Sequence, residues 1–163
     1  MTTSQCAEES LINAFESVSI APDATKILYI SLNLDTSDIN NVLKLFNITP
    51  FIINEKFHIT LLYTGGKPND KLDIFKPFID KLCNITIDKI AISDKFITLG
   101  VYKITHEDND IPYFGNEFKH ITIGKKDKKL APKDSPSAFS EGIVMNFDKP
   151  YMINGIIEYE LKK

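Results

Sequence analysis

Apolar and polar residues alternate along residues 26–34 (KILYISLNL), a period of two that predicts a β-strand with one face in a core. Thr36, Ser37 and Asp38 then offer N-cap chemistry to a helix that carries Ile39, Val42, Leu43 and Phe46 on one side. The same step recurs. Residues 57–63 (FHITLLY) read as a strand ended by Gly65-Gly66, and Asn69-Asp70 introduces a helix with apolar positions Leu72, Phe75, Phe78, Ile79 and Leu82, which Pro77 kinks or divides into two shorter pieces. Cys83 falls at the end of that helix.

Residues 85–93 and 95–104 alternate around Asp94-Lys95 and predict a hairpin, followed by a polar stretch from His106 to Asn116. Residues 118–124 (FKHITIG) form a further strand, then a lysine-rich loop, and two closing strands are expected around VMNFDKPYMI and GIIEYELK. About seven strands paired largely by hairpins, with two or three helices, predict an α+β domain whose sheet is mostly antiparallel. Residues 1–24 read as a partly flexible leader with a helical turn at Leu11, Ile12 and Phe15, and residues 25–163 as one domain.

Composition narrows the class. A chain of 163 residues with 43% hydrophobic and 25% charged positions suits one globular unit. A net charge of -3 argues against holding long nucleic acid by bulk electrostatics but permits a small phosphate-bearing ligand. All 19 cationic side chains are lysines, so no guanidinium fork is available to clamp a phosphate. The bias toward Ile, Asn and Lys, with neither Arg nor Trp, points to an AT-rich genome and hints at a viral source. Two cysteines, Cys6 and Cys83, build neither a disulfide framework nor a four-cysteine zinc site. No signal peptide or apolar run of spanning length is evident, so a cytoplasmic monomer without a membrane partner is expected.

The chemistry gathers at two of the three histidines. His58-Ile59-Thr60 and His120-Ile121-Thr122 are the same tripeptide, each on a predicted strand. With Ser and Thr near an eighth of an ordinary chain, two given histidines share a hydroxyl at the second position by chance roughly once in sixty. On a strand, residues i and i+2 face the same way, so each triplet presents an imidazole and a hydroxyl together while its isoleucine points into the core. Two such strands side by side make a cradle for a phosphodiester. One imidazole serves as general base and the other as general acid, and the hydroxyls bind nonbridging oxygens. An ordinary pKa near 6.5 lets the two rings take these complementary states without a metal or other cofactor.

FHITLLYTGG and FKHITIG resemble the two HxT signatures of the two-histidine (2H) phosphoesterases, the LigT-like group. HITLLYTGGKP is close to the form found in fungal tRNA-ligase cyclic phosphodiesterase domains and viral relatives. The resemblance spans about residues 26–162 and implies a bilobal, pseudo-twofold fold, with His58 and His120 as the catalytic pair and Thr60 and Thr122 orienting the phosphate. The spacing of 62 residues between the histidines (120 minus 58) is compact for the family. Members open 2′,3′-cyclic phosphates, process RNA ends, or cleave 2′-5′ linkages in oligoadenylates and cyclic dinucleotides, the last serving viral evasion of nucleotide-based immune signals.

The expectation is a phosphodiesterase cleaving 2′-5′ bonds in a small nucleotide messenger, such as 2′,3′-cGAMP or 2′-5′ oligoadenylate. The alternatives are a 2′,3′-cyclic phosphodiesterase acting on RNA ends and a nucleotide-sequestering module without turnover. Tyr29, Tyr113 and Phe139 are candidate base-stacking faces. Ser137 is a candidate hydrogen-bond donor from the loop after the second triplet, and Lys125 a candidate phosphate helper. The run Lys125, Lys126, Lys128 and Lys129 reads either as a solvated loop or as a steering patch. His106 with Glu107, Asp108 and Asp110 reads as a surface turn, with a divalent-metal site as the sharper alternative. Gly65-Gly66-Lys67 lacks the spacing of a phosphate-binding Walker loop.

Overall fold

The computed structural model describes residues 21–163. The expected leader helix and Cys6 lie outside the described residues. Asp23 caps a 3-10 turn at Ala24–Lys26, its carboxylate accepting from the Thr25 backbone N–H at 2.9 Å, and delivers the chain into β1 (Ile27–Leu34). The first helix, α1 (Thr36–Leu43), starts one residue earlier than its hydroxyl residues suggest. Asp35 is the cap, and its Oδ1 accepts from the Ser37 and Asp38 N–H groups at 2.8 and 3.3 Å. Ile39, Val42 and Leu43 are buried beneath it. Phe46 lies beyond the helix end but still packs against the core.

Strands β2 (Ile52–Ile53) and β3 (His58–Tyr63) follow, and a turn with φ of +64° and +84° at Gly65 and Gly66 ends β3. A side chain at Gly66 would meet the Thr25 carbonyl at 2.9 Å, so that position needs glycine for space as well as for φ. The second helix is split into two short pieces at Pro77, and it ends before Leu82, which was expected on it. A single turn, α2 (Leu72–Phe75), passes into a 3-10 turn at Lys76–Phe78, and Leu82 opens a strand. Pro77 withholds an N–H from the helical ladder, and Asp80 turns the chain at φ of +66°, which stops the helix despite the continuing apolar spacing. Cys83 is accordingly a buried strand residue rather than a helix end.

Strands β4 (Leu82–Ile92) and β5 (Phe96–His106) form the expected hairpin. The polar stretch after it contains β6 (Asn109–Asp110), joined to β5 by a turn with positive φ at Glu107 and Asp108. Then come β7 (His120–Lys125), a 3-10 segment at Pro132–Ser137 and α3 (Ala138–Glu141). The chain closes on one 19-residue strand, β8 (Ile143–Leu161), where two strands were expected. Its pairing with β4 shifts register across residues 147–150, so the strand absorbs Pro150 as an irregularity instead of breaking there.

The fold is α+β, with an eight-stranded antiparallel sheet in the order β2-β7-β5-β4-β8-β1-β3 and β6 beside β5. One core cluster runs from Ile30, Leu32 and Ile59 through Ile85 and Ile153 to Ile97 and Ile121. β3 and β7 stand near opposite ends of the strand order yet touch each other. The sheet therefore curls, and the Phe114 N–H crosses the gap to donate to the Leu61 carbonyl at 2.8 Å. This curl carries the two triplets toward one another.

Candidate active site

Both triplets lie on strands with the alternation their sequence implies. Ile59 and Ile121 are buried at 1% and 0% exposure, whereas His58, Thr60, His120 and Thr122 share the opposite face and remain accessible. The two strand pairs repeat one design. On β1, Asn33 stands opposite His58 and Ser31 opposite Thr60; on β5, Gly100 stands opposite His120 and Thr98 opposite Thr122. Each pair carries an irregularity directly beyond the threonine, at Leu61 in β3 and Ile123 in β7. Each motif threonine thus faces a hydroxyl residue that is fully buried, Ser31 or Thr98.

The imidazoles are held differently. His120 Nδ1 lies 2.7 Å from the Phe118 carbonyl, which can only accept, so Nδ1 carries the proton and Nε2 is left toward the site. Tyr113 Oη donates to the same carbonyl at 3.1 Å. Burial depresses the His120 pKa below the ordinary 6.5, the Phe118 carbonyl opposes that shift, and the charge of His58 adds to it. The two rings are therefore close enough to feel each other's protonation. His58 is also depressed by burial, with the Glu160 carboxylate pulling its pKa back up. Ser31 Oγ donates to Glu160 Oε2 at 2.8 Å and Asn33 Nδ2 to the same oxygen at 3.2 Å, while Asn33 also reaches Glu158.

The threonine hydroxyls are also placed by their surroundings. Thr122 Oγ1 lies 2.5 Å from Ser135 Oγ, and Ser135 is fully buried. Either hydroxyl of this pair can donate, and with Ser135 as donor the Thr122 proton is available to a ligand. The Ser135 carbonyl accepts from Thr98 Oγ1 at 3.2 Å, which fastens the 3-10 segment onto the sheet. Asn54 Nδ2 braces the other side, donating to the Thr122 carbonyl at 3.0 Å.

The remaining candidates divide. Tyr29 stands beside His58, ring centroids 5.8 Å apart, and reaches the site. Tyr113 packs against the core, its hydroxyl pushed up to about 12 by burial, so it braces the Phe118 carbonyl instead of offering an open face. Phe139 stacks on Phe118 at 5.0 Å. Lys125 is committed to its own loop, donating to the carbonyls of Lys128 and Leu130 at 3.1 and 3.0 Å. Ser137 lies two residues past the serine that touches Thr122 and lines a neighbouring cavity of about 550 Å³, with Phe118, Pro136 and Glu141 among its walls. His106 Nδ1 donates to the Leu82 carbonyl at 2.8 Å, and its ring meets Phe78 edge-on. Among the described residues no three His, Cys, Asp or Glu side chains converge as metal ligands.

Ser31, Thr98, Ser135, Glu160 and Lys89 escaped the sequence reading. They carry no motif: Ser31, Thr98, Glu160 and Lys89 are brought toward the site by strand pairing, and Ser135 by the 3-10 segment that packs on Thr122. One signal was available: Gly100, a glycine inside a strand, marks a place where something passes close to the backbone.

No protein-family model matches the sequence, and no curated protein matches it. Among solved structures the fold is similar to a crystal structure of a fungal RNA kinase, with a TM-score of 0.55 and 16% identity over 85% of this chain. The match covers 46% of that neighbour, so this chain spans less than half of its length. At this identity the likeness is one of fold. Among the described residues no helix is long and apolar enough to cross a membrane.

Proposed function

We propose that the chain is a two-histidine phosphodiesterase of the LigT-like kind that cleaves 2′-5′ phosphodiester bonds in small nucleotide messengers. The observation that carries this reading is the contact between the two strands that bear the His-Ile-Thr triplets, whose histidines and threonines alternate with buried isoleucines. His120 takes the role of base, because its Nδ1–H is fixed on the Phe118 carbonyl and its Nε2 lone pair faces outward. His58 takes the role of acid, because the Glu160 carboxylate favours its protonated form.

In the first step His120 Nε2 removes the proton of the 3′-hydroxyl vicinal to the scissile linkage. The 3′-oxygen attacks phosphorus, the bond to the 5′-oxygen breaks, and His58 gives that oxygen its proton. A 2′,3′-cyclic phosphate results. Its opening reverses the roles: neutral His58 takes a proton from water, the water oxygen attacks phosphorus, and protonated His120 supplies the departing ribose oxygen. Thr60 and Thr122 donate to the nonbridging oxygens as charge builds on them. The chemistry needs only the two rings and these donors.

A second reading keeps the chemistry and takes RNA with a 2′,3′-cyclic phosphate end as substrate. The likeness in fold to a fungal RNA kinase supports it. One panel tests both. The protein is incubated with 2′,3′-cGAMP, 3′,3′ cyclic dinucleotides, 2′-5′ oligoadenylate and an RNA ending in a 2′,3′-cyclic phosphate, beside His58→Ala and His120→Ala variants. Cleavage confined to 2′-5′ linkages and lost in both variants supports the first reading. Cleavage of the RNA end alone moves the assignment to the second. Binding without turnover, or turnover that survives both substitutions, removes the catalytic claim.

A further inference from the structure

Lys89 sits on β4 directly opposite Gly100 of β5, and Gly100 sits directly opposite His120 of β7. Side chains in such a cross-strand row share a face, so Lys89, Gly100 and His120 lie in line on the face that carries the triplets. The lysine stem is laid along that row. A Cβ built on Gly100 would fall 2.5 Å from Lys89 Cγ, 3.1 Å from Cδ and 2.7 Å from Cε. Three successive methylenes of Lys89 therefore lie against Gly100, the residue of this row with no side chain. Neighbouring strands are about 4.8 Å apart, so a lysine stem crossing one strand brings its charge close to the next.

The ammonium arrives unspent. Among the described residues the ion pairs are Lys76 with Asp73 and His106 with Glu107, and no hydrogen bond engages Lys89 Nζ. The ammonium lies over the Phe139 ring, 6.0 Å from its centroid, and that ring stacks on Phe118, whose carbonyl holds His120. Lys119, directly before His120, lies with its ammonium over the Tyr113 ring, 5.9 Å from the centroid, and Lys125, three residues past Thr122, donates to two carbonyls. In a chain without arginine, a half-buried lysine with free donors beside the site is the available counter-charge for a phosphate.

We propose that Lys89 is the phosphate-binding cation of this site, its ammonium delivered to the His120 side by a stem that crosses Gly100. This rests on the phosphodiesterase reading for its role in turnover, but the anion site itself can be measured without any substrate. Glycine at 100 is then a functional requirement: any Cβ there displaces the stem and withdraws the charge.

The test is a titration of the full chain with inorganic phosphate, followed by NMR at the imidazole protons of His58 and His120, for wild type, Lys89→Met, Lys89→Arg and Gly100→Ala. Lys89→Met keeps the apolar stem and is expected to weaken phosphate binding about tenfold or more, as loss of a charge-assisted hydrogen bond implies. Lys89→Arg is expected to restore part of the loss. Gly100→Ala is expected to weaken binding as Lys89→Met does, and to add nothing in the Lys89→Met background. Unchanged phosphate affinity in Lys89→Met overturns the proposal, as does a Gly100→Ala loss that is fully additive. A thermal melt of each variant separates misfolding from loss of charge. Should wild type cleave nothing in the substrate panel while phosphate binding still depends on Lys89, the phosphodiesterase reading fails and the anion site stands.

Discussion

His120 and Tyr113 share one acceptor, the backbone carbonyl of Phe118, at 2.7 and 3.1 Å. That carbonyl fixes which imidazole nitrogen bears the proton, and the tyrosine fixes the carbonyl. Tyr113→Phe keeps the ring in the core and deletes the brace. The expected result is a fall in kcat of about three- to tenfold, the scale of one lost neutral hydrogen bond, with KM nearly unchanged. A larger rise in KM than fall in kcat would mean that the phenol contacts substrate, as its sequence position suggested.

Glu160 accepts from Ser31 and Asn33 and raises the pKa of His58 against the effect of burial. Both histidines are nonetheless held below 6.5, so kcat/KM should be bell-shaped with its optimum on the acidic side of that value. The acid limb reports neutral His120, and the alkaline limb reports loss of the His58 proton. Glu160→Gln removes the influence that raises His58, so the alkaline limb should move to lower pH while the acid limb stays. Movement of the acid limb alone would reverse the two roles.

The triplets could be read from sequence because the relation that matters, i to i+2 on a strand, is local. Ile59 and Ile121 alternate with the site residues as a period of two demands. The end of the second helix was misread because Leu72, Phe75, Phe78, Ile79 and Leu82 continue a helical spacing past Pro77, while residues from Leu82 onward also suit a strand. Only the pairing of Leu82 with Ile156, across 74 residues (156 minus 82), decides between the two. Distance along the chain also hid the supports of the site. Ser31 meets Glu160 across 129 residues, and Lys89 shares a cross-strand row with His120 only through a register that no local pattern encodes.

Thr122 and Ser135 give a separable pair of effects. Thr122→Val preserves shape and removes the donor aimed at the phosphate, so kcat/KM should fall by about a hundredfold or more, as for loss of one oxyanion donor. Ser135→Ala leaves the threonine in place but removes its neighbour's hydroxyl, and the expected loss is about tenfold or less. Steady-state kinetics on the best substrate of the panel checks both. Equal losses would show that the serine itself touches substrate.

Ile121 lies between the candidate site residues His120 and Thr122 of β7 and faces the core at 0% exposure. Ile121→Ala should therefore cost stability before chemistry, by about 2–5 kcal/mol in urea unfolding. Ile121→Val should cost about 0.5–1.5 kcal/mol and leave kcat/KM within about twofold, since the backbone that aims His120 and Thr122 is retained. A valine variant of undiminished stability but much reduced activity would place the isoleucine at the site.

Cys83 tests the corrected end of the second helix. In the strand β4 it is 0% exposed, and burial pushes its thiol up to about 11. Both effects suppress alkylation, because the thiolate is the reactive form and the reagent must reach it. The native protein treated with iodoacetamide at about pH 8 should show the Cys83 peptide unmodified by mass spectrometry, whereas the same treatment in guanidinium chloride should modify it fully. Had residues 72–82 formed one surface helix, Cys83 would end it at the edge of the fold, and the native protein would react at a rate near that of the unfolded chain. Rapid native labelling would therefore count against the placement of β4, and with it against the strand row that connects Lys89 through Gly100 to His120.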